Sequence, residues 1–376
     1  MGTAGYNSRP RTGGKYKNGK KRSLFTRIIM WFFPWKGDGL FEAARKIIFL
    51  GALVCFVYFT GGIVHEWAYD VYREYVNTEK MRNFFGGSVN LDDDIRDDIL
   101  RKKPEILPDY ISFYHDNNDL VGHIMIPNLS SPLPFTDPGK YTINYMVYQR
   151  LTFNENGERN GDNHYYLEHA FDHSPSAGGS IFADFRNDFE DGSLPGNTIL
   201  YGHNMYTGNY FAKVSHYYKG FESRDLTFYK NHPLITFNTI YEENDWKVFA
   251  TVLFNTESRH GEPYRYLIPE FRDKEHFNQY ILDIMDRSVL FTDVDIEYGD
   301  HILTLSTCYY PFGTSVDTRA VVFARKVRPG ESSHVDVSKA AHNTAYLPFD
   351  TQRQRMGNNW SGRVWDTSYL LSYNGE

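Results

Sequence analysis

The hydrophobic pattern of the chain is dominated by one long uncharged run near the N-terminus. Residues 47–64, IIFLGALVCFVYFTGGIV, contain no charged side chain, and a membrane-spanning helix needs roughly 20 apolar residues. Lys and Arg crowd residues 1–46, whereas Glu66 and Asp70 follow the run. Because positive charge stays inside, the pattern predicts a single-pass transmembrane signal anchor at residues 47–67, with a cytoplasmic tail and an extracellular remainder. The alternative is a buried helix of a soluble core.

The pattern changes twice beyond the predicted anchor. Residues 68–118 have apolar positions at helical spacing, interrupted by Pro104 and Pro108, which predicts a helical stalk or a set of N-terminal helices. Residues 119–330 contain short alternating or β-branched runs separated by turn residues, which predict strands. The exception is residues 271–289, where an apolar stripe at helical spacing predicts one long helix. The sequence therefore predicts a mainly β domain with helices.

The two ends of the chain are polar in different ways. Residues 1–23 are rich in Gly, Lys and Arg and have almost no apolar side chains, which predicts disorder. Residues 331–376 are polar but also contain the large apolar side chains Tyr346, Phe349, Trp360, Trp365, Tyr369 and Leu371. Such aromatics argue against pure disorder. This C-terminal extension either packs on the β domain or serves as an interaction tail, and the pattern does not choose between the two.

Charge adds one constraint on partners. The 376 residues have 40 Lys and Arg against 47 Asp and Glu, for a formal net charge of −7. Since residues 1–46 are strongly basic, the rest of the chain is acidic. A basic tail can bind nucleic acid, but this tail adjoins the apolar run, so we expect a membrane and no nucleic acid as its partner.

The candidate chemistry centres on a cysteine at the end of an apolar run. Cys55 lies inside the predicted anchor, which leaves Cys308 as the only cysteine of the predicted external part. An unpaired thiol in an exported protein indicates reactivity, although a buried inert cysteine is the alternative. Arg319 opens the next apolar run. If the two runs pair, Cys308 and Arg319 lie at neighbouring strand ends, where a cation favours the nucleophilic thiolate.

These residues resemble the signature of a known family. TLSTC at residues 304–308, with Arg319 opening the next strand, resembles the sortases, which are cysteine transpeptidases of the Gram-positive cell surface. TILYGHN at residues 198–204 places His203 where these enzymes have their histidine. The pair in these contexts, together with the arginine, is far more specific than a lone Cys or His.

Further blocks resemble class B sortases in particular. They are VGHIMIP at residues 121–127, DNHYYL at residues 162–167, GSIFADFRN at residues 179–187 and the predicted long helix before the Cys strand. The resemblance covers about residues 90–330. It implies a sortase-type closed β-barrel of about eight strands at residues 119–330, preceded by helices.

The resemblance also implies a reaction. Cys308 would attack a backbone carbonyl of a C-terminal sorting signal, similar to Asn-Pro-x-Thr, and form a thioester. His203 would act as general acid and then general base, and Arg319 would stabilise the substrate or the developing oxyanion. The acyl group of the surface protein would pass to an amine of cell-wall precursor. The alternatives are a pilin Lys as acceptor, water as acceptor, or an inactive surface scaffold.

Further positions are candidates for contact with the peptide or for supporting roles. The positions that match the peptide groove of class B enzymes are Asn163, Leu167, Tyr201 and Ser306, and each has an equally good structural interpretation. Tyr309 departs from the pattern, because some class B members have an acidic residue after the cysteine. Asp317 is more readily interpreted as a loop residue than as a third catalytic group. The histidines lack metal-type spacing, so we expect no metal and no cofactor.

Overall fold

The computed structural model describes residues 23, 29–86, 91–134, 137–189, 192–357, 360 and 362. These residues form two units, one within residues 1–69 and one within residues 70–376. The predicted disorder of residues 1–23 lies outside the described residues except for Ser23, as do Trp365, Tyr369 and Leu371.

The apolar run is helical. Helix α1 (Leu40–Gly86) contains it, and residues 40–69 are long and apolar enough to cross a membrane, with none of the most apolar window buried. Phe56 and Phe59 are each 66% exposed. Because exposing apolar surface to water costs free energy, a lipid environment suits this face better than water. The helix can therefore span a membrane.

Two short helices follow and pack on the β domain. They are α2 (Asp93–Lys102) and α3 (Ile111–Asp116). Helix α2 begins with acidic and ends with basic side chains, and both sets of charges interact favourably with the helix dipole and stabilise the helix. Ile99 of α2 and Ile111 of α3 are buried in one apolar cluster that also contains Met146 and Tyr148 of the β domain. These helices confirm the helical pattern that was predicted before the barrel.

Twelve strands are present among the described residues. They are β1 (Leu120–Pro127), β2 (Tyr141–Tyr148), β3 (Leu151–Phe153), β4 (Arg159–Gly161), β5 (Ile181–Ala183), β6 (Asn197–Tyr201), β7 (Leu234–Thr239), β8 (Asp245–Asn255), β9 (Leu290–Phe291), β10 (Ile302–Cys308), β11 (Thr318–Lys326) and β12 (Ala341–His342). Eight of them close a barrel in the order β1-β2-β5-β6-β10-β11-β8-β7. The predicted closed barrel of about eight strands is confirmed. Strands β3 and β4 form a separate hairpin, and β9 pairs with β12.

The strands of the barrel alternate between two apolar environments. Leu303 and Leu305 of β10 face the barrel interior with Trp246, whereas Ile302 belongs to a second cluster on the outer face. This follows from the two-residue period of a strand. Cys308 and Ile302 are an even number of residues apart in the same strand, so their side chains point to the same face. Cys308 therefore lies on the outer face at the end of β10.

Helices cover parts of the barrel. They are α4 (Tyr165–Glu168), α5 (Ser215–Ser223), α6 (Thr227–Asn231), α7 (Lys274–Arg287) and α8 (Asp350–Met356). Helix α7 is the predicted long helix, and it buries Phe277, Tyr280 and Ile284 in the outer cluster. The Asp273 carboxylate caps it by accepting a hydrogen bond from the backbone N–H of His276 at 2.8 Å, which typically stabilises a helix by about 1 kcal/mol.

The C-terminal extension packs on the barrel as far as residue 357. Tyr346 is buried in an apolar cluster with Leu253 and Ala320. Gln352 is 2% exposed and donates a hydrogen bond to the Tyr218 hydroxyl at 2.7 Å. The sequence left two possibilities open, and in the structure this part of the extension packs on the β domain.

A buried cation at the end of β11 gives a first prediction. The Arg325 side chain is fully buried and contacts Glu331 at 2.6 Å and Asp295 at 3.1 Å. Glu331→Gln is expected to lower the free energy of unfolding by about 3 kcal/mol, because one charge of a buried pair loses its main partner. Denaturant unfolding near neutral pH measures the change. Glu262→Gln, at an exposed position, is the matched control.

The same pair sets a pH dependence. Hydrogen bonds from Arg325 hold the pKa of Glu331 well below its usual value of 4.5. A lowered pKa in the folded state means that the stabilisation is complete above the unfolded value and is lost as the pH falls through the folded value. The difference in stability between wild type and Glu331→Gln should therefore shrink on acidification. A difference that stays constant down to strongly acidic pH would contradict this assignment.

Candidate active site

Two parallel strands bring the predicted histidine beside the predicted nucleophile. Strands β6 and β10 pair in parallel, with Ser306 beside Tyr201. The Thr307 hydroxyl donates to the carbonyl of Gly202 at 2.8 Å, and the Asn204 side-chain amide donates to the carbonyl of Cys308 at 2.7 Å. His203 stands between Gly202 and Asn204, the two residues of this segment that make these hydrogen bonds. Its backbone therefore runs directly alongside Cys308.

Strand β11 pairs with β10 on the side away from β6, and it supplies the cation, Arg319. In the β10–β11 register Cys308 lies opposite Arg319, and cross-strand partners point to the same face of a sheet. Burial works against the charge of Arg319, but its hydrogen bond to Asp317 and the nearby Cys308 sulfur raise the pKa of the guanidinium. The structure thus brings Cys308, His203 and Arg319 to neighbouring strand ends at one rim of the barrel.

One ring nitrogen of the histidine is fixed by a backbone carbonyl. His203 Nε2 lies 2.9 Å from the carbonyl oxygen of Leu167 in α4. A carbonyl only accepts hydrogen bonds, so Nε2 must be the donor. Nδ1 is then the nitrogen available to exchange a proton, since the partner of one nitrogen determines the tautomer. The predicted groove residue Leu167 thus reaches the site through its main chain.

The arginine is held by the loop that precedes it. Arg319 Nη1 donates to Asp317 Oδ1 at 2.6 Å, and the Thr256 hydroxyl donates to the other carboxylate oxygen at 2.5 Å. Burial would raise the pKa of Asp317, but the hydrogen bond from Arg319 keeps it low. Asp317 is therefore a partner of the arginine.

The outer face next to the cysteine is lined by a tyrosine that the sequence analysis missed. The Tyr266 hydroxyl and the Ser306 hydroxyl are 2.9 Å apart. The Tyr266 ring stacks on Phe254 with 4.5 Å between centroids, and burial raises the pKa of Tyr266 to about 12. Ser306 precedes Cys308 by two residues and shares its face of the sheet. Tyr266 lies in a loop without periodicity, so only its aromatic character within PYRYLIP was a signal.

Asn163 and Tyr201, two further predicted groove residues, meet at one buried carboxylate. Asp184 is fully buried, and its Oδ2 accepts hydrogen bonds from the Tyr201 hydroxyl at 2.7 Å and from the Asn163 amide at 3.2 Å. Arg186 adds contacts of 2.8 and 2.7 Å to the same carboxylate. Burial would raise the pKa of Asp184, but the hydrogen bonds from Arg186 outweigh it. The sequence analysis did not single out Asp184 or Arg186.

Comparison with known proteins agrees with this geometry. Residues 182–327 match a family model described as the sortase domain. Sortase B of Staphylococcus aureus is 28% identical over 229 residues, which are 61% of this chain and 78% of that protein. Sortase B of Listeria monocytogenes is 33% identical over 147 residues, which are 39% of this chain and 54% of that protein. The chain thus contains a sortase domain, at residues 182–327.

The fold of this chain also matches a solved structure. The crystal structure of sortase B from B. anthracis in complex with AAEK2 superposes with a TM-score of 0.50 at 25% identity, covering 68% of this chain and 97% of that chain. The predicted sortase-type barrel is thereby confirmed. Sortases are cysteine transpeptidases, and the two relatives of this chain are both sortase B proteins.

Proposed function

We propose that this sortase is membrane-anchored and cleaves a C-terminal sorting signal similar to Asn-Pro-x-Thr, transferring the acyl group to an amine of cell-wall precursor. The observation that supports the chemistry is the register at one rim, with Cys308 opposite Arg319 and with the chain at His203 alongside Cys308. A thiolate flanked by a cation and an imidazole is suited to nucleophilic acyl transfer.

The proposed reaction has two halves. The Cys308 thiolate attacks the scissile carbonyl carbon, the C–S bond forms, and negative charge moves to the oxygen. The C–N bond then breaks, and the leaving amine takes the proton from Nδ1 of His203. In the second half an amine attacks the thioester, His203 Nδ1 takes its proton, and the C–S bond breaks to restore the thiolate. Each half passes through an oxyanion, which the guanidinium of Arg319 stabilises.

The proposed groove follows the outer face from β10 toward α4. Ser306 and Tyr266 form a hydrogen-bonded pair next to the cysteine. The Leu167 side chain is partly buried in a cluster that also contains Tyr201. We assign Leu167 to direct contact with the peptide, and Ser306, which is 3% exposed, to the buried support of the groove. We assign Asn163 and Tyr201 to the wall of the same groove, where the Asp184 carboxylate accepts a hydrogen bond from each of them.

The membrane topology is part of the proposal. Helix α1 supplies a stretch that can cross a membrane, and the positive charge of residues 1–46 favours a cytoplasmic N-terminus. The barrel would then be outside the cell, where surface proteins and cell-wall precursor are both available.

Product masses test the proposed function. The full-length chain is incubated with an Asn-Pro-x-Thr peptide alone, with an added cell-wall precursor amine, and with a Lys side-chain amine. A product joined to the cell-wall precursor amine is the expected result. Joining only to the Lys amine would support the pilin alternative, and hydrolysis unaffected by amine would indicate a plain peptidase. No turnover with any peptide that has this signal would contradict the proposed substrate.

The arginine gives a prediction that separates charge from geometry. Arg319→Lys keeps the positive charge but loses the planar group that binds Asp317 and faces the thiol. We expect kcat to fall by on the order of 10²–10³, the usual effect of removing one oxyanion donor. Steady-state kinetics with the signal peptide measure it. Arg265→Lys, at an exposed position near Tyr266, should leave the rate unchanged, and an equal loss in both variants would contradict the assignment.

A further inference from the structure

The C-terminal segment beyond the family match contacts both loops that border the site. The match ends at residue 327. We call residues 341–357 the C-terminal brace, and we call residues 309–317, which connect Cys308 to Arg319, the site loop. The brace consists of β12, a connecting stretch and α8. Nothing in the roles of Cys308, His203 and Arg319 requires such a segment, so its position raises the question of what it does.

The base of the brace touches the neighbours of two proposed catalytic residues. Tyr346 is 3% exposed and packs in a cluster with Ala320, which follows Arg319, and with Tyr309, which follows Cys308. Gln352 donates to the Tyr218 hydroxyl at 2.7 Å. The Tyr218 ring packs edge-on against Tyr309 with 6.0 Å between centroids. The brace therefore forms the packing layer behind the residues that follow the thiol and the guanidinium.

The tip of the site loop is held by α8. The Phe349 and Phe312 rings pack edge-on with 6.0 Å between centroids. Arg355 Nη1 donates to the backbone carbonyl of Phe312 at 2.9 Å, and its guanidinium lies 5.6 Å from the centre of the Phe312 ring. One arginine thus binds the main chain and the side chain of the same loop residue, which fixes the loop more firmly than either contact alone.

A second loop connects the brace to the site loop. The backbone N–H of Thr351 donates to the carbonyl of His260 at 3.2 Å, and the Thr351 hydroxyl lies 2.9 Å from His260 Nδ1. The other ring nitrogen of His260 lies 3.2 Å from the carbonyl of Ser315. The close approach depends on Gly261, where φ is +115° and a Cβ would lie 2.9 Å from the backbone nitrogen of Asp350. A side chain at residue 261 would push the two segments apart.

We propose that the C-terminal brace positions the loop between Cys308 and Arg319, so that Arg355 and Gln352 are positioning residues for the thiol–guanidinium pair. The loop also contains Asp317, which binds Arg319 at 2.6 Å. A loop whose tip and main-chain carbonyls are held from outside keeps that carboxylate, and hence the guanidinium, in one place. The consequence for catalysis rests on the proposed function, but the positioning itself is measurable without any substrate.

Two arginines of one helix provide the test. Arg355→Ala removes the contacts with Phe312, and Arg353→Ala is the matched control, because Arg353 is exposed on the same helix and makes no side-chain hydrogen bond or ion pair with the described residues. All variants are made in full-length chain with Cys55→Ala, so that Cys308 is the single thiol. Hydrogen exchange of residues 309–317 is expected to become about five-fold faster in Arg355→Ala, because local opening follows the loss of stabilising contacts, and to stay unchanged in Arg353→Ala.

Alkylation by iodoacetamide reports whether the thiol follows the loop. The ratio of rates at about pH 7 and about pH 10 measures the thiolate fraction independently of access. We expect this ratio to fall about three-fold in Arg355→Ala, because Arg319 is then displaced from its position opposite Cys308, and to stay unchanged in Arg353→Ala. Gln352→Leu, which removes the hydrogen bond to Tyr218, should shift the ratio in the same direction.

Each outcome decides the proposal. Equal exchange and equal alkylation ratios in Arg355→Ala and Arg353→Ala would overturn it. Faster exchange of the loop with an unchanged ratio would also overturn it, because the brace would then stabilise the loop without positioning the pair. If the peptide assay shows no acyl transfer while the exchange and alkylation results are as expected, the proposed substrate fails and the positioning stands.

Discussion

Cys308→Ala is expected to abolish acyl transfer, with kcat reduced by on the order of 10⁴-fold or more, as for the loss of an enzyme's nucleophile. The substitution removes the sulfur but keeps a small apolar side chain at the end of β10. The strand should persist, because Leu303 and Leu305 remain in the barrel core and the register with β11 is set by seven residue pairs. Loss of activity would then reflect lost chemistry and not lost folding.

The second cysteine is the natural control for this prediction. Cys55 is exposed on α1, in the stretch that can cross a membrane, and Cys55→Ala should keep full activity. Denaturing the wild-type chain rapidly in the presence of peptide should reveal an acyl adduct on Cys308 by mass spectrometry. Retention of activity by Cys308→Ala would refute the nucleophile assignment. Absence of both turnover and adduct in the wild type would instead favour an inactive scaffold.

His203→Gln is expected to reduce kcat by on the order of 10²–10⁴, the usual contribution of a positioned general acid–base group. Glutamine can still donate a hydrogen bond to the Leu167 carbonyl, which His203 Nε2 contacts at 2.9 Å. It has no group that exchanges a proton near neutral pH. The variant thus removes the acid–base function while keeping the contact with α4.

The pH profile distinguishes this role from a structural one. The wild type should show a bell-shaped dependence of kcat/KM on pH, and the limb that reports His203 should disappear in His203→Gln. His164→Gln, at an exposed position near α4, is the control and should keep the wild-type profile. If His203→Gln loses activity but retains both limbs, another group must transfer the proton.

The strand-end arrangement was largely predictable from the sequence. The two apolar runs around residues 302 and 320 are short, and a Pro- and Gly-containing loop separates them, as expected for paired buried strands. Their pairing places Cys308 opposite Arg319. The long helix was predicted within three residues at its start, since its apolar stripe has helical spacing and Asp273 stands at its N-cap. Local patterns sufficed because these contacts follow from the period of each element.

Other parts of the site leave no such pattern. The contact of His203 with residue 167 uses a main-chain carbonyl, which every residue type possesses. Tyr266 reaches Ser306 from a loop 40 positions away, and Asp184 accepts hydrogen bonds from two distant segments, at Asn163 and Tyr201. The packing of the C-terminal extension was left open for the same reason. Its aromatics showed that something must bury them, but only tertiary structure showed which surface does so.

The parallel pairing of β6 and β10 has a consequence for when the site forms during synthesis of the chain. The bond between Thr307 and Gly202 joins residues 105 positions apart, and such distant pairings form late, because a long stretch must be gathered first. A growing chain that has emerged only to His203 has this imidazole but lacks Cys308 and Arg319. The three side chains at this rim therefore come together only after the chain has been synthesised as far as Arg319.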